Sequence, residues 1–285
     1  MQHFEFYTAR HIEDALTFLS EKGERCKVIA GGTDLIPALR KEDIHPDFVL
    51  NVLELRSLNG ITELNHSIRI GSTVTFTEMV ESDILSHFFP SLVQAAASVG
   101  SPQIRNRGTI GGNIANASPA ADVLPAILAL DGELELESKK LGTRRLPLSE
   151  AIVAPYRAQF RQDEILTGIF IKKLESGTRS AFTKLGRRNA MARARMNLSV
   201  ILRLNNEEVV EELKIVPGAV MPVAKRMERA EKMLIGKKPE TSVVEATATA
   251  IVEEIVERTG VRWSTEYKVP VMKSLSKRIL GELLT

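Results

Sequence analysis

Two stretches of this chain combine small side chains with polar groups in a way that suits close contact with a ligand. The first runs Val28-Ile29-Ala30-Gly31-Gly32-Thr33-Asp34-Leu35. Paired glycines let backbone turn tightly and approach another group closely. Successive N–H groups at such a turn make an anion-binding concavity, which a following helix reinforces. Thr33 adds a hydroxyl. A lone Gly-Gly pair serves equally well as a plain turn. The second stretch, residues 103–122, reads QIRNRGTIGGNIANASPAAD and holds three glycines, three asparagines, Thr109, Ser118 and Asp122. It is expected as a long loop, and a long loop inside a compact domain is usually functional. Gly108, Gly111 and Gly112 permit close approach, while Thr109, Asn113 and Asp122 offer donors and acceptors. Two such loops suggest a cleft for something with a pyrophosphate and a ring system. Read from the residues, that means a nucleotide or dinucleotide cofactor and goes no further.

The elements that must position these loops follow from periodicity. HIEDALTFLSEK places Ile12, Ala15, Leu16 and Leu19 at helical spacing. KVIAGG is expected as a short buried strand, and LIPALRK as a short helix capped by Asp34, with Pro37 tolerated in its first turn. Phe48-Val49-Leu50 reads as a further strand. From about residue 58, SIRIGSTVT alternates like a strand, FTEMVESDILSHFFPSLVQAAASV is helical with a break near Pro90, and ELELES and DEILTGIFIKK are strands. Beyond about residue 177, a strand, a loop and two more strands precede amphipathic helices over about 241–258 and 269–284. Helices and strands come in runs and do not alternate strictly, so the expected class is α+β.

Composition removes several alternatives. Hydrophobic residues make up 44% of the 285 and charged residues 26%, as in an ordinary globular protein, and a net charge of +2 advertises neither nucleic acid nor membrane as a general partner. No stretch approaches the roughly 18 apolar residues of a membrane span, and the opening residues lack an apolar signal core. The expected location is the cytoplasm. Cys26 is the sole cysteine, whereas an iron–sulfur cluster takes about four thiolates. The five histidines are scattered without metal-ligand spacing. GxSxG, GxxxxGK and HExxH are absent, as is the GxGxxG dinucleotide fingerprint.

AGGTDLIP, followed by IRNRGTIGGNIANASPAADVLPAILAL, DEILTGIFI, AFTKLGRRNAMA and KIVPGAVMPVAKRMERAE, resembles the FAD-binding medium subunit of the molybdopterin-dependent hydroxylases, of xanthine, carbon monoxide and nicotinate dehydrogenase type. The resemblance spans essentially the whole chain. It implies a two-subdomain FAD-binding fold of the vanillyl-alcohol-oxidase and MurB type over residues 1–175, with subdomains of about 1–57 and 58–175. A C-terminal α+β domain of the carbon monoxide dehydrogenase flavoprotein type is implied over residues 176–285. By the same resemblance, residues 28–35 cradle the pyrophosphate, and Thr109, Ile110, Gly111, Gly112 and Asn113 lie against flavin and phosphates. Asp122 hydrogen-bonds the cofactor, Gly100 lies near the adenine end, and Leu166 and Lys184 contact the ring. One departure is Arg193 and Arg195, where relatives often carry an apolar residue or tyrosine near the ring. With Lys184, Arg187 and Arg188 they form a basic cluster, suited to a solvated or partner-facing surface or to an anionic acceptor such as NAD.

The implied function is electron relay. A large molybdopterin subunit hydroxylates the substrate, a small subunit carries [2Fe–2S] clusters, and this chain passes their electrons through FAD to NAD, quinone or oxygen. No catalytic or metal-ligating residue is expected on the chain itself. The rivals are an autonomous MurB-like FAD reductase and a nucleotide- or nucleic-acid-binding module using the basic cluster.

Overall fold

The computed structural model describes residues 3–188 and 191–284. They divide into two compact units, neither a single run of chain. The first takes residues 1–84, 101–118 and 132–172, and the second takes 85–100, 119–131 and 173–285.

The first unit opens with β1 (Glu5–Thr8), β2 (Cys26–Ile29) and β3 (Phe48–Asn51), a parallel sheet in the order β1-β3-β2. The expected helix, Ile12–Lys22, buries Ala15, Leu16 and Leu19 against Leu50, Leu55, Leu58 and Ile165. Its apolar spacing leaves one face for the core and the charged face for water. β2 is shorter and wetter than a buried strand. It is an edge strand in which Cys26 and Ile29 point inward while Lys27 and Val28 are exposed.

The second sheet is five-stranded and antiparallel, ordered β4 (Ile61–Glu63), β5 (Ser67–Gly71), β10 (Glu164–Lys172), β6 (Glu133–Ser138) and β7 (Gly142–Pro147). A small hairpin, β8 (Ile152–Ala154) and β9 (Arg157–Ala158), stands apart as its own sheet. β6 alternates as its sequence demands, with Leu134, Leu136 and Ser138 buried. β10, last of these strands in the chain, is central in the sheet and buried from Glu164 to Ile171.

The second unit is built on β11 (Arg179–Gly186), β12 (Ala194–Leu204) and β13 (Val210–Gly218), antiparallel in that order. β12 is central and covered on both faces. Met196, Leu198, Val200 and Leu202 share one face and pack with the helices Glu228–Leu234, Thr241–Thr259 and Thr265–Leu284. The alternate residues Asn197, Ser199 and Ile201 turn the other way. The helices Pro90–Ala97 and Val123–Ala129 pack against the same strands. Gln94 Oε1 accepts the Phe182 N–H at 2.7 Å, and Ser180 Oγ accepts the Ser91 N–H at 3.1 Å. Pro90 begins the first of these helices, where its missing N–H costs nothing. Among the described residues, no helix is long and apolar enough to cross a membrane.

The largest departure from expectation is the stretch 103–122. It carries two short helices, Pro102–Arg105 and Ile110–Asn116, and its last residues, from Pro119, belong to the second unit. Glycine and asparagine are poor helix formers in isolation. Tertiary packing overrides that here, because Gly111 sits so close to Ser72 that an added Cβ would lie 2.5 Å from its carbonyl oxygen.

Glu164 provides a test of the first unit. Its side chain is 1% exposed. Arg144 donates to both carboxylate oxygens, at 2.6 and 2.9 Å, and the Arg161 N–H donates at 2.7 Å. Burial works to raise this carboxyl, yet the arginine and the backbone N–H outweigh it and hold it below the usual range. A depressed native value stabilises the fold at neutral pH and is lost as pH falls through it. Glu164→Gln is expected to cost about 1.5–3 kcal/mol at pH 7. The gap from wild type should narrow below about pH 4, where a free glutamate also protonates. Urea titrations at both pH values measure it, and an equal gap at each would refute the assignment.

Candidate functional site

The two glycine loops meet. The Gly31 backbone lies against the Arg107 carbonyl, where an added Cβ would fall 1.8 Å from the oxygen. Gly32 turns the chain at φ +74, a conformation that glycine adopts without strain. The helix Leu35–Arg40 then starts directly after Asp34, with the Ile36 N–H donating to the Gly32 carbonyl at 3.0 Å. Asp34 occupies the N-cap position, but its side chain makes no capping bond.

On the other side, residues 72–76 hold residues 108–111 by backbone bonds. The Phe76 N–H donates to the Gly108 carbonyl at 3.1 Å, Ile110 to Val74 at 3.0 Å, and Gly111 to Ser72 at 2.9 Å. Thr109 caps the helix Ile110–Asn116, its Oγ1 accepting the Gly112 N–H at 3.1 Å.

Together these segments line a cleft of about 450 Å³ within the first unit. Residues 28–35 form one wall, and Thr109, Gly112 and Asn113 contribute to the other. Ile110 and Gly111 are fully buried and do not line it, so they support the wall from behind. Phe76, Asn116 and Tyr156 are among the other lining residues. No motif reading singles them out: Phe76 reads as helix core, and Tyr156 sits in the turn of the small hairpin at φ 58. Asn116 lies one helical turn after Gly112, a spacing that becomes informative only once the stretch is known to be helical.

Gly112 and Asn113 mark this cleft as built for a ligand. A Cβ on Gly112 would meet only Thr109 Oγ1, at 2.9 Å, so its other surroundings are open. Asn113 Oδ1 is buried without a hydrogen-bond partner. A buried acceptor left unpaired is costly, and a bound donor would relieve it. The donors, the small side chains and the volume suit a nucleotide-like cofactor better than a hydrolytic or metal-dependent reaction. Among the described residues, no cluster of three or more His, Cys, Asp or Glu stands ready to hold a metal.

The remaining expected site residues are not among those lining this cleft. Leu166 is buried in β10, opposite Leu136, and does not line the cleft. Gly100, Asp122 and Lys184 belong to the second unit. There Lys184 Nζ donates to Asp122 Oδ2 at 2.5 Å and to the Ser98 carbonyl at 2.8 Å, while Asn197 Nδ2 donates to Asp122 Oδ1 at 2.9 Å. Burial pushes the Asp122 carboxyl up, against the opposing pull of Lys184 and Asn197. Lys184 is therefore half of a buried ion pair and not a solvated member of the basic cluster. Arg187, Arg188, Arg193 and Arg195 line a separate cleft of the second unit. Asn189 and Ala190 of the GRRNAMA stretch lie outside the described residues.

This fold, with a glycine-lined cofactor cleft in an α+β chain, defines a class of flavin-carrying subunits, and the comparisons agree. Residues 2–173 match the family model for the FAD binding domain in molybdopterin dehydrogenase, and residues 180–283 match that for the CO dehydrogenase flavoprotein C-terminal domain. The nicotinate dehydrogenase FAD-subunit of Eubacterium barkeri is 30% identical over 288 residues, covering 100% of this chain and 97% of that one. The xanthine dehydrogenase FAD-binding subunit of Escherichia coli O157:H7 is 29% identical, covering 97% and 94%. A chain of the solved carbon monoxide dehydrogenase from Hydrogenophaga pseudoflava superposes with a TM-score of 0.91 at 27% identity, over 98% of this chain and 96% of that one. The chain belongs to the family of FAD-binding subunits of molybdopterin-dependent dehydrogenases. It is an oxidoreductase subunit whose cofactor is FAD. The expected fold class, an FAD-binding part followed by a C-terminal part of the CO dehydrogenase flavoprotein type, is the one observed.

The Asp122–Lys184 pair yields a prediction with a definite sign. Lys184→Met leaves a buried carboxylate, which costs about 3–5 kcal/mol at neutral pH. Without the lysine, the native carboxyl rises further above its unfolded value. Stability then declines as pH climbs from about 4 through that raised value. Urea unfolding should find the variant closer to wild type at pH 5 than at pH 8; the reverse order would refute the pairing.

Proposed function

We propose that this chain relays electrons within a molybdenum hydroxylase. Electrons arrive from [2Fe–2S] clusters on a small partner subunit, leave for NAD, quinone or oxygen, and originate at a large molybdopterin-binding subunit that oxidises the substrate. Bound FAD would supply the conversion of single electrons into a transferable pair. The observation that carries the reading is the cleft of about 450 Å³ walled by Val28–Leu35 and by Thr109, Gly112 and Asn113, in a chain with a single, buried cysteine. Such a chain has a place for a nucleotide and no set of thiolates for a cluster.

In this reading, the Gly31–Gly32 turn brings backbone close to the pyrophosphate, and the open Cα of Gly112 leaves room for the cofactor. The Asn113 side-chain carbonyl, unpartnered in the cleft wall, accepts a hydrogen bond from FAD. The resemblance adds Gly100, Asp122, Leu166 and Lys184 to the FAD contacts. The division of labour, FAD binding by residues 1–175 and a closing domain over 176–285, belongs to the same proposal. Support for partners comes from the relatives, among them the carbon monoxide dehydrogenase medium chain of Hydrogenophaga pseudoflava and a 6-hydroxypseudooxynicotine dehydrogenase complex subunit of Paenarthrobacter nicotinovorans.

Two glycines separate a ligand-facing role from a structural one. Gly112→Val points its side chain into the cleft beside Thr109, and is expected to abolish FAD binding while the chain stays folded. Gly31→Ala drives a methyl group into the Arg107 carbonyl, and is expected to lower stability as well as flavin content. Flavin absorbance and thermal unfolding of both variants measure this. Full FAD occupancy in Gly112→Val would remove it from the site.

The assembly is tested by purifying the chain from its native host and measuring molybdenum and iron. The expected result is a complex containing a cysteine-rich small chain and a large chain. Acid precipitation should release intact FAD, since neither loop holds a histidine or cysteine to bond it covalently. A flavin-loaded chain that emerges alone and turns over a substrate unaided would overturn the relay.

A further inference from the structure

The second unit pairs its cations with care. Arg203 faces Glu175, Glu211 and Glu212, and Lys214 bridges Asp131 and Glu212. Arg226 meets Glu231, Arg258 meets Glu254, and Lys184 meets Asp122. One region gathers cations without such partners. Arg187, Arg188, Arg193, Arg195 and Lys268 surround a cleft of about 750 Å³ whose lining, among the described residues, contains no carboxylate. Their resolved interactions are with neutral groups or with one another. Arg188 donates to the Met191 carbonyl at 3.2 and 2.6 Å, Lys268 donates to the Ala219 carbonyl at 3.1 Å, and the Arg195 guanidinium lies 5.4 Å from the Tyr267 ring. The lysine ammonium is pulled down by burial and by the neighbouring charges of Arg262 and Arg195. Gathered positive charge without compensation is self-repelling, and only an external anion relieves it.

The apolar residues here show what kind of anion fits. Trp263 is 97% exposed, Val261 83% and Met191 54%. A pocket for a small molecule encloses its aromatic wall, whereas these side chains project into water. Tryptophan, tyrosine, methionine and arginine are the residues enriched at protein–protein interfaces, and arginine outnumbers lysine four to one around this cleft. Met191 also holds a left-handed backbone at φ 51, kept in place by the Arg188 guanidinium on its carbonyl. That conformation is uncommon for a side chain of this size, and it presents the methionine at the surface.

We propose that this arginine-rich cleft, centred on Trp263 and Tyr267, is the docking surface for an acidic, partly apolar face of a partner subunit in the complex. This inference rests on the assembly reading given above. Charge complementarity sets the approach and orientation of the partner, and burial of Trp263 supplies the residence time.

The complex purified from the native host provides the test, with all substitutions made in the full chain. Trp263→Ala is expected to keep the wild-type ratio of FAD to protein, since its side chain is 97% exposed and the resemblance gives it no place at the cofactor; the double variant Arg193→Glu/Arg195→Glu is made beside it. Both should shed a partner chain in size-exclusion chromatography, with an apparent Kd raised by about thirtyfold or more. Arg193→Lys/Arg195→Lys, which keeps the charge, should retain the partner better than the glutamate variant. A measurement without mutation accompanies them. In oxidative footprinting, Trp263 and Met191 of the wild-type chain should be protected in the complex and reactive in the isolated subunit. Unchanged reactivity in the intact complex overturns the docking surface while leaving the relay standing, as do variants that assemble like wild type. Loss of retention on ATP-agarose or DNA-cellulose by variants that still assemble also overturns it, and assigns the cleft to a small anion or nucleic acid. A wild-type chain that elutes alone defeats the assembly reading, and this surface with it.

Discussion

The approach of the Gly31 backbone to the Arg107 carbonyl is the contact from which the cofactor cleft follows. No side chain fits between them, so the edge strand β2 and the loop before the helix Ile110–Asn116 are held at backbone distance. The two loops that wall the cleft meet at that contact. Gly32 turns the first loop away from β2, the bonds from residues 72–76 fix the second loop, and Thr109 begins the helix that presents Gly112 and Asn113. Glycines commonly mark flexible chain, but three of these have no freedom at all. Gly31, Gly71 and Gly111 are each pressed against neighbouring backbone at distances that exclude a Cβ. The cleft is thus preformed, which lowers the entropic cost of binding a long, jointed cofactor.

How much of this could be read in advance depended on the physics involved. Ile12–Lys22 and β6 carry strong periodicity, and they and the two long C-terminal helices stand close to their expected places. The second glycine loop is legible by its length and small polar composition, whereas the first, read alone, is as good a plain turn. The helix Ile110–Asn116 was hidden, since IGGNIAN has low intrinsic helicity and acquires its form from Ser72 and Val74 far back in the chain. The Asp122–Lys184 pair was equally hidden. Each residue had been singled out, but nothing in their spacing says that they neutralise each other. Phe76 and Tyr156 reach the cleft by tertiary placement alone.

Electrostatics divides the second unit into an interior that tolerates no loose charge and a surface that gathers it. Asp122, Glu231 and Glu254 are nearly buried, and each is met by a cation. Such pairs add little net stability over apolar packing, but they punish any wrong arrangement and so select one. The arginines around Trp263 follow the opposite rule. An assembly that must form between the right chains benefits from keeping its charge unspent until they meet.

The chain leaves and re-enters each unit more than once, and this governs its synthesis. The helix Val123–Ala129 is entirely apolar and entirely buried, yet the strands β12 and β13 that cover it are encoded well downstream. On the ribosome it emerges without them. For the time needed to translate the intervening residues, a greasy segment waits beside a first unit that itself lacks its central strand β10 until residue 172 is made. Domains that close on themselves in sequence order can fold as they appear. This one does not: neither unit has all its segments before the chain has passed residue 172.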